Sequence, residues 1–198
     1  MKTSVAVILI LMLSISVGAQ TWLMNLNYNI ALPGSEMKQY INNPSLLGFS
    51  MDIRRFVSPN VTVGGSFGQQ LFYWQHGGQL ELESTQLKGS QFRFMNTFPL
   101  MVNSHFYFSD SGFVRPFLGL HLGGLYAWQR SEMGIVVKDG RQWQWGLAPE
   151  LGVVFPVGTM TMNVGTKMSY LASPEGSSLG DPPNQLYFGF NVGVAFIK

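Results

Sequence analysis

The sequence predicts an all-β fold, an eight-stranded antiparallel up-and-down transmembrane β-barrel preceded by an export signal. Three observations carry that prediction. Apolar residues recur at every second position through eight successive segments, the connections between segments alternate long and short, and every mid-segment charge falls on the polar face. Period two is the signature of a strand, because successive side chains point to opposite faces.

Composition sets the bounds. A chain of 198 residues fits one domain. Charged residues make up 11% of it, under half of the roughly 25% usual in a soluble domain. Hydrophobic residues are 46%, aromatics 14%, and glycines number 23. That hydrophobicity excludes disorder. Twelve basic against ten acidic residues leave a formal charge of +2, which excludes the basic surface a nucleic-acid binder needs. The absence of cysteine excludes disulfides, thiolate metal sites, a cysteine nucleophile and a lipoprotein acyl anchor.

The leader comes first. Lys2 supplies positive charge, residues 5–13 are an unbroken apolar run, and Val17-Gly18-Ala19 offers small residues for cleavage. Residues 1–19 therefore read as a secretory signal peptide cut after Ala19, too short for a membrane-spanning helix. Residues 20–198 are the barrel. No later stretch reaches the roughly 18 consecutive apolar residues of a membrane helix.

The first strand sets Trp22, Met24, Leu26, Tyr28 and Ile30 against Asn25, Asn27 and Asn29. The second sets Leu47, Phe49, Met51 and Ile53 against Gly48, Ser50, Asp52 and Arg54. The third opposes Val61, Val63, Phe67, Leu71 and Tyr73 to Thr62, Gly64, Ser66, Gly68 and Gln70. The fourth is long, with Phe92, Phe94, Phe98, Leu100, Val102, Phe106 and Phe108 opposite Arg93, Thr97, Asn103 and His105. In the fifth, Val114, Leu118, Leu120, Leu122, Tyr126 and Trp128 oppose Arg115, Gly119, His121 and Gly123. The sixth opposes Trp143, Trp145, Leu147, Leu151, Val153 and Phe155 to Gln142, Gln144, Gly146, Glu150 and Gly152. Met160, Met162, Val164, Met168 and Tyr170 face away from Thr161, Asn163, Gly165, Lys167 and Ser169 in the seventh. The eighth separates Leu186, Phe188, Phe190, Val192, Val194 and Phe196 from Gly189, Asn191, Gly193 and Ala195.

Three connections are tight turns by composition: Ser58-Pro59-Asn60, Ser109-Asp110-Ser111-Gly112 and Val157-Gly158-Thr159. Four are longer, near 32–45, 74–89, 129–141 and 171–185. Their strict alternation makes the strands run up and down and puts both termini at the short-turn end.

Alternation alone also fits a soluble barrel, so the charges decide. The mid-strand charges Asp52, Arg54, Arg93, Arg115, Glu150 and Lys167 all lie on the polar face. That face is otherwise Gly, Asn, Ser, Thr and Gln, the small set that packs inside a narrow barrel. A water-facing surface would carry Lys and Glu instead. The apolar face, crowded with Phe, Leu, Met and Val, must then meet lipid, where closure is forced because an open edge has no partners. Aromatics sort by strand end. Tyr28, Tyr73, Trp74, Tyr126, Trp128, Trp143, Trp145 and Tyr170 gather at the long-connection end, while Trp22, Phe56, Phe106, Phe108, Phe155 and Phe196 gather at the other. These are expected as two membrane-interface girdles.

Several stretches resemble a known group. They are Phe98-Pro99-Leu100-Met101-Val102-Asn103 running into His105-Phe106-Tyr107-Phe108, then Arg115-Pro116-Phe117-Leu118-Gly119-Leu120, Gly146-Leu147-Ala148-Pro149-Glu150-Leu151-Gly152 and the closing residues Gly189 to Phe196. In these the chain is similar to small outer-membrane β-barrel proteins of the OmpW/OmpX-like kind, a porin-family outer-membrane barrel domain abundant in Bacteroidetes-type bacteria. The resemblance spans essentially the whole mature chain and implies a Gram-negative outer-membrane location. Asn191, Gly193 and Phe196 also resemble the terminal signal read by the outer-membrane insertion machinery, although Lys198 stands where a hydrophobic residue is expected. Family members mostly carry no assigned activity, and fold does not fix function.

Chemistry is sparse. No histidine pair has the spacing of a helical metal motif, so neither metal nor cofactor is expected. His105 and His121 fall on the lumenal face of adjacent strands, where hydrogen bonding within a polar plug is the expectation. With Asp52, Arg54, Arg93, Arg115, Glu150 and Lys167 they form an expected lumenal polar network, since buried charges normally pair. A lipid-modifying enzyme would need an outward Ser/His pair near the outer leaflet. Ser104 points outward but beside the inward His105, and a loop partner such as His76 is the remaining route. The chain is therefore read as no enzyme. The expected function is a structural or interaction role, displaying four surface loops. The alternative is a narrow pore or conduit for small molecules, kept open by the resemblance to OmpW-like barrels, some of which admit small hydrophobic molecules. Expected partners are outer-membrane lipid, the insertion machinery during assembly and a protein reached through the loops. No nucleic acid is expected.

Overall fold

The computed structural model of the protein describes residues 21–34, 37–82, 85–109, 112–133, 136–172 and 184–197. The signal peptide with its cleavage after Ala19, the turn residues Asp110 and Ser111, the connection at 173–183 and Lys198 lie outside the described residues, as does the side chain of His76.

Eight strands follow one another: β1 (Trp22–Pro33), β2 (Leu47–Ser58), β3 (Val61–Leu82), β4 (Thr85–Tyr107), β5 (Arg115–Met133), β6 (Val136–Val157), β7 (Met160–Ala172) and β8 (Asn184–Ile197), with one helical turn, α1 (Met37–Tyr40), between β1 and β2. Each strand pairs antiparallel with its sequence neighbours, and β1 closes on β8 from Leu23↔Ile197 to Pro33↔Tyr187. The result is a closed eight-stranded up-and-down barrel. Within the closed ring every strand has a paired neighbour on both sides, as a wall in lipid requires.

The period-two pattern becomes a period-two burial pattern. Along β4 the odd positions Thr97, Met101, Asn103, His105 and Tyr107 are buried in the lumen, while Phe98, Leu100, Val102, Phe106 and the residue after the strand, Phe108, are exposed on the outside. The outer wall is apolar on every strand, from Trp22 and Leu26 on β1 to Phe188, Phe190 and Phe196 on β8.

Two of the four expected long loops prove to be strand. The β3–β4 ladder continues from Leu71↔Asn96 to Leu82↔Thr85, and β5–β6 continues to Met133↔Val136. The Gly77-Gly78 step that resembles a turn pairs in register with Ser90 and Gly89. Glycine there weakens a strand without breaking its hydrogen bonding. β2 stops pairing with β3 at Leu47↔Leu71, so the β3–β4 hairpin runs on roughly 35 Å past that rim at the usual rise per residue. The barrel therefore has a tall side, β3 to β6, and a short side.

Two prolines interrupt the walls. Between β3 and β4 the paired register passes from Phe67↔Leu100 to Gln70↔Thr97, across Pro99. Between β6 and β7 it passes from Leu147↔Tyr170 to Glu150↔Lys167, across Pro149. Proline has no N–H to give to the ladder.

The lumen is packed in three levels. At the long-connection end Phe72, Met95, Met101, Leu125, Leu171 and Tyr187 form an apolar cluster with Met37 and Ile41, which α1 and the residue after it carry in from above. At the short-turn end Tyr107, Phe117 and Val154 pack with Phe56. A polar belt lies between them. Large apolar side chains thus occupy both mouths, which corrects the expectation of a lumen filled by small polar residues. Glycine makes the room: a Cβ at Gly152 would lie 2.5 Å from Cζ of Phe117.

Candidate functional site in the barrel lumen

The belt is built from facing positions on neighbouring strands. Arg54 of β2 is level with Gly64 of β3, which is level with Asn103 of β4. Because Gly64 has no side chain, the Arg54 chain crosses it toward β4. A Cβ on Gly64 would come within 2.8 Å of Arg54 Cγ. One step along, His105 is level with Gly119 of β5, and Gly119 with Glu150 of β6. The bare backbone of Gly119 lets His105 and Glu150 approach across an intervening strand, with His105 Nε2 and Glu150 Oε2 separated by 3.6 Å. His121, two residues on from Gly119 along β5, completes the group: its Nε2 is 2.6 Å from Glu150 Oε2 and 3.3 Å from His105 Nε2.

All of these side chains are buried. Arg54 Nη1 contacts His105 Nδ1. A guanidinium only donates, so Nδ1 accepts and the His105 proton sits on Nε2. His121 donates from Nε2 to Glu150, and Ser66 Oγ reaches His121 Nδ1 at 3.2 Å. Asn191 Nδ2 donates to the other Glu150 oxygen at 2.6 Å. Phe117 stacks on the His105 ring with centroids 4.9 Å apart. Asp52 is served by amides: Asn27 Nδ2 at 3.0 Å and Asn103 Nδ2 at 3.3 Å. Among the described residues, Arg54 Nε and Nη2 have no hydrogen-bond partner. Among the described residues, neither Arg54 nor Lys167 has a carboxylate within ion-pair distance.

Of the residues expected in a lumenal network, the fold brings together Arg54, His105, His121 and Glu150, with Asp52 beside them through Asn103. Lys167 is level with Glu150 on β7 and lines a small cavity of about 40 Å³ with Ser50, Gln70, Tyr187 and Asn191. Arg93 and Arg115 stand apart at opposite mouths. Arg93 donates to Tyr40 O at 2.9 Å and lies between the rings of Tyr40 and Trp74, 4.9 and 5.1 Å from their centroids. Arg115 donates to Ser109 O at 3.0 Å and covers the Tyr107 ring at 4.9 Å.

The girdle residues Trp22, Tyr28, Tyr73, Trp128, Trp143, Trp145 and Tyr170 are exposed on the outer wall. Tyr126 is half-buried beside the rings of Trp143 and Phe98, at 5.4 and 6.5 Å. Two aromatics are misplaced by the sequence reading. Trp74 follows the outward Tyr73, so the alternation turns it inward against the plug cluster. Phe56 shares the parity of Asp52 and Arg54, and its ring stacks on Tyr107 at 5.7 Å. Alternation placed Ser66 and Asn191 on the lumenal face, but the sequence reading did not count them in the network, and it missed Tyr40, which carries no periodic signal.

No protein-family model and no curated protein matches this sequence. Solved structures do. Ail, the attachment invasion locus protein of Yersinia pestis, is 12% identical with a TM-score of 0.50, covering 89% of this chain and 97% of its own. Neisserial surface protein A is 10% identical with a TM-score of 0.48, over 91% of this chain and 96% of its own. Outer membrane protein W of E. coli is 15% identical with a TM-score of 0.43, over 91% and 100%. At this identity the Ail likeness speaks for the fold alone.

Proposed function

We propose that this chain is an integral outer-membrane barrel with a structural or interaction role, anchored by its apolar wall and offering its tall β3–β6 side to a protein partner outside the cell. The carrying observation is the packing of the lumen among the described residues. Apolar clusters fill both mouths, α1 and Ile41 are packed into the upper one, and the polar belt between them is hydrogen-bonded side chain to side chain. An eight-stranded barrel is just wide enough for such a filling. The outward apolar residues rimmed by Trp and Tyr support the membrane placement. Nothing in the belt presents a nucleophile to a lipid substrate, and the reading assigns the chain no reaction.

Planar-bilayer recording of the detergent-extracted full chain tests this. The proposal expects no stable conductance steps above the lipid baseline, together with a heat-dependent gel shift that marks a folded barrel. Reproducible open steps from heat-modifiable protein would overturn it in favour of a small-molecule conduit.

A further inference from the structure

We infer that His105 Nε2, His121 Nε2 and Glu150 Oε2 form a binding site for a divalent transition-metal cation of the zinc class, with Arg54 as its built-in competitor. The three donor atoms come from three adjacent strands and lie within 4.8 Å of one another, the only such group among the described residues. Two imidazole nitrogens and one carboxylate oxygen are a donor set that zinc and its neighbours accept. Ligands on a tetrahedral ion at zinc distances sit about 3.3 Å apart. The His105–His121 and His105–Glu150 separations of 3.3 and 3.6 Å are close to that edge. The His121–Glu150 pair, at 2.6 Å, is a hydrogen bond and must open when the ion replaces its proton.

The surroundings have the form of an outer shell that orients metal ligands. Ser66 Oγ lies 3.2 Å from His121 Nδ1 and accepts that proton once Nε2 is given to the metal. Asn191 fixes the carboxylate through its other oxygen at 2.6 Å. Space for the ion comes from Gly119, where a Cβ would stand 2.8 Å from His105 Nε2.

Arg54 opposes loading in two ways. Its donation to Nδ1 keeps the His105 proton on Nε2, where a metal needs a lone pair, and its charge repels a cation. It also has somewhere else to go. Its Nε and Nη2 have no hydrogen-bond partner among the described residues, and Asn103 Oδ1 on β4 is a buried acceptor without one. On this inference the guanidinium leaves the ring for that acceptor when the cation binds. This separates the inference from a purely structural polar plug. In a plug, removing Arg54 only loses a hydrogen bond. In a metal site, removing it improves binding.

The test uses the full chain without a polyhistidine tag, refolded in detergent with chelator or with zinc, desalted, and assayed for metal content. Cobalt absorption serves as a direct reading of the ligand field, and the heat-dependent gel shift selects folded protein. Wild type is expected to retain about one zinc per chain and to give a cobalt d–d band. Gly119→Ala and Glu150→Gln should lose both, and Arg54→Met should bind roughly tenfold or more tightly, the scale of an outer-shell change. Folded wild type with neither retained zinc nor a cobalt band overturns the inference, whatever the variants do. So does Gly119→Ala binding like wild type, which would place the ion elsewhere. An unchanged affinity in Arg54→Met overturns the competitor role.

Discussion

Glu150 is where the lumen's polar bonds converge, accepting from His121 on one oxygen and from Asn191 on the other. Without it, two buried donors lose their acceptor. Each stranded buried donor costs about 1–3 kcal/mol, so Glu150→Ala should lower stability by about 2–6 kcal/mol. Glu150→Gln keeps one oxygen acceptor and should cost about half as much. Equilibrium urea unfolding of the barrel in lipid vesicles, followed by tryptophan fluorescence, reads both. Equal losses for the two variants would mean that charge rather than hydrogen bonding holds the belt. Much of this was legible in the sequence, because alternation fixes the face of His105, His121 and Glu150 once the strands are found. The approach of Glu150 to His105 across β5 was not. It depends on Gly119 being a gap between two of them, and a gap leaves no residue to read.

At the scale of elements, the β1–β2 connection is the piece that closes the upper mouth. A helix of one turn is unstable alone, so packing and tethers hold α1 in place. Met37 and Ile41 lie four apart and are both fully buried, and Arg93 grips Tyr40 by its carbonyl and its ring. Polar replacement at both anchors, Met37→Ser with Ile41→Ser, should leave a heat-modifiable barrel but release the segment. External protease should then cut within 34–46 at least tenfold faster than in wild type, if the release costs about 1.4 kcal/mol or more. Unchanged cleavage would show that the tethers alone hold the plug. The sequence hid this element because a non-periodic stretch between strands reads as a loop whether it lies in water or in the lumen. The extended hairpins were hidden for the opposite reason. Gly77, Gly78 and Glu81 have the composition of a turn, while their backbone groups complete a ladder whose partners, Ser90, Gly89 and Gln86, lie well along the chain.

For the whole molecule, one charge placed at different heights should read out the membrane. Leu122 faces outward, level with Val102 on one side and Leu147 on the other, and all three are exposed. If the wall is embedded in lipid, this row lies well inside the rims marked by Trp128 and Trp143. An arginine at mid-depth costs about 2–4 kcal/mol, falling to about 0–1 kcal/mol near the interface. Val137, also exposed, stands beyond Trp143 on the tall β5–β6 hairpin. Leu122→Arg should therefore lose about 2–4 kcal/mol in vesicles, while Val137→Arg stays within about 1 kcal/mol of wild type. Lys167 already shows where the fold accommodates a cation: on the inner face, one strand beyond Glu150. Two small and equal losses would mean that the outer wall does not meet hydrocarbon. A large loss at Val137 would mean that the tall hairpins lie within the bilayer, leaving little of the β3–β6 side for a partner to reach.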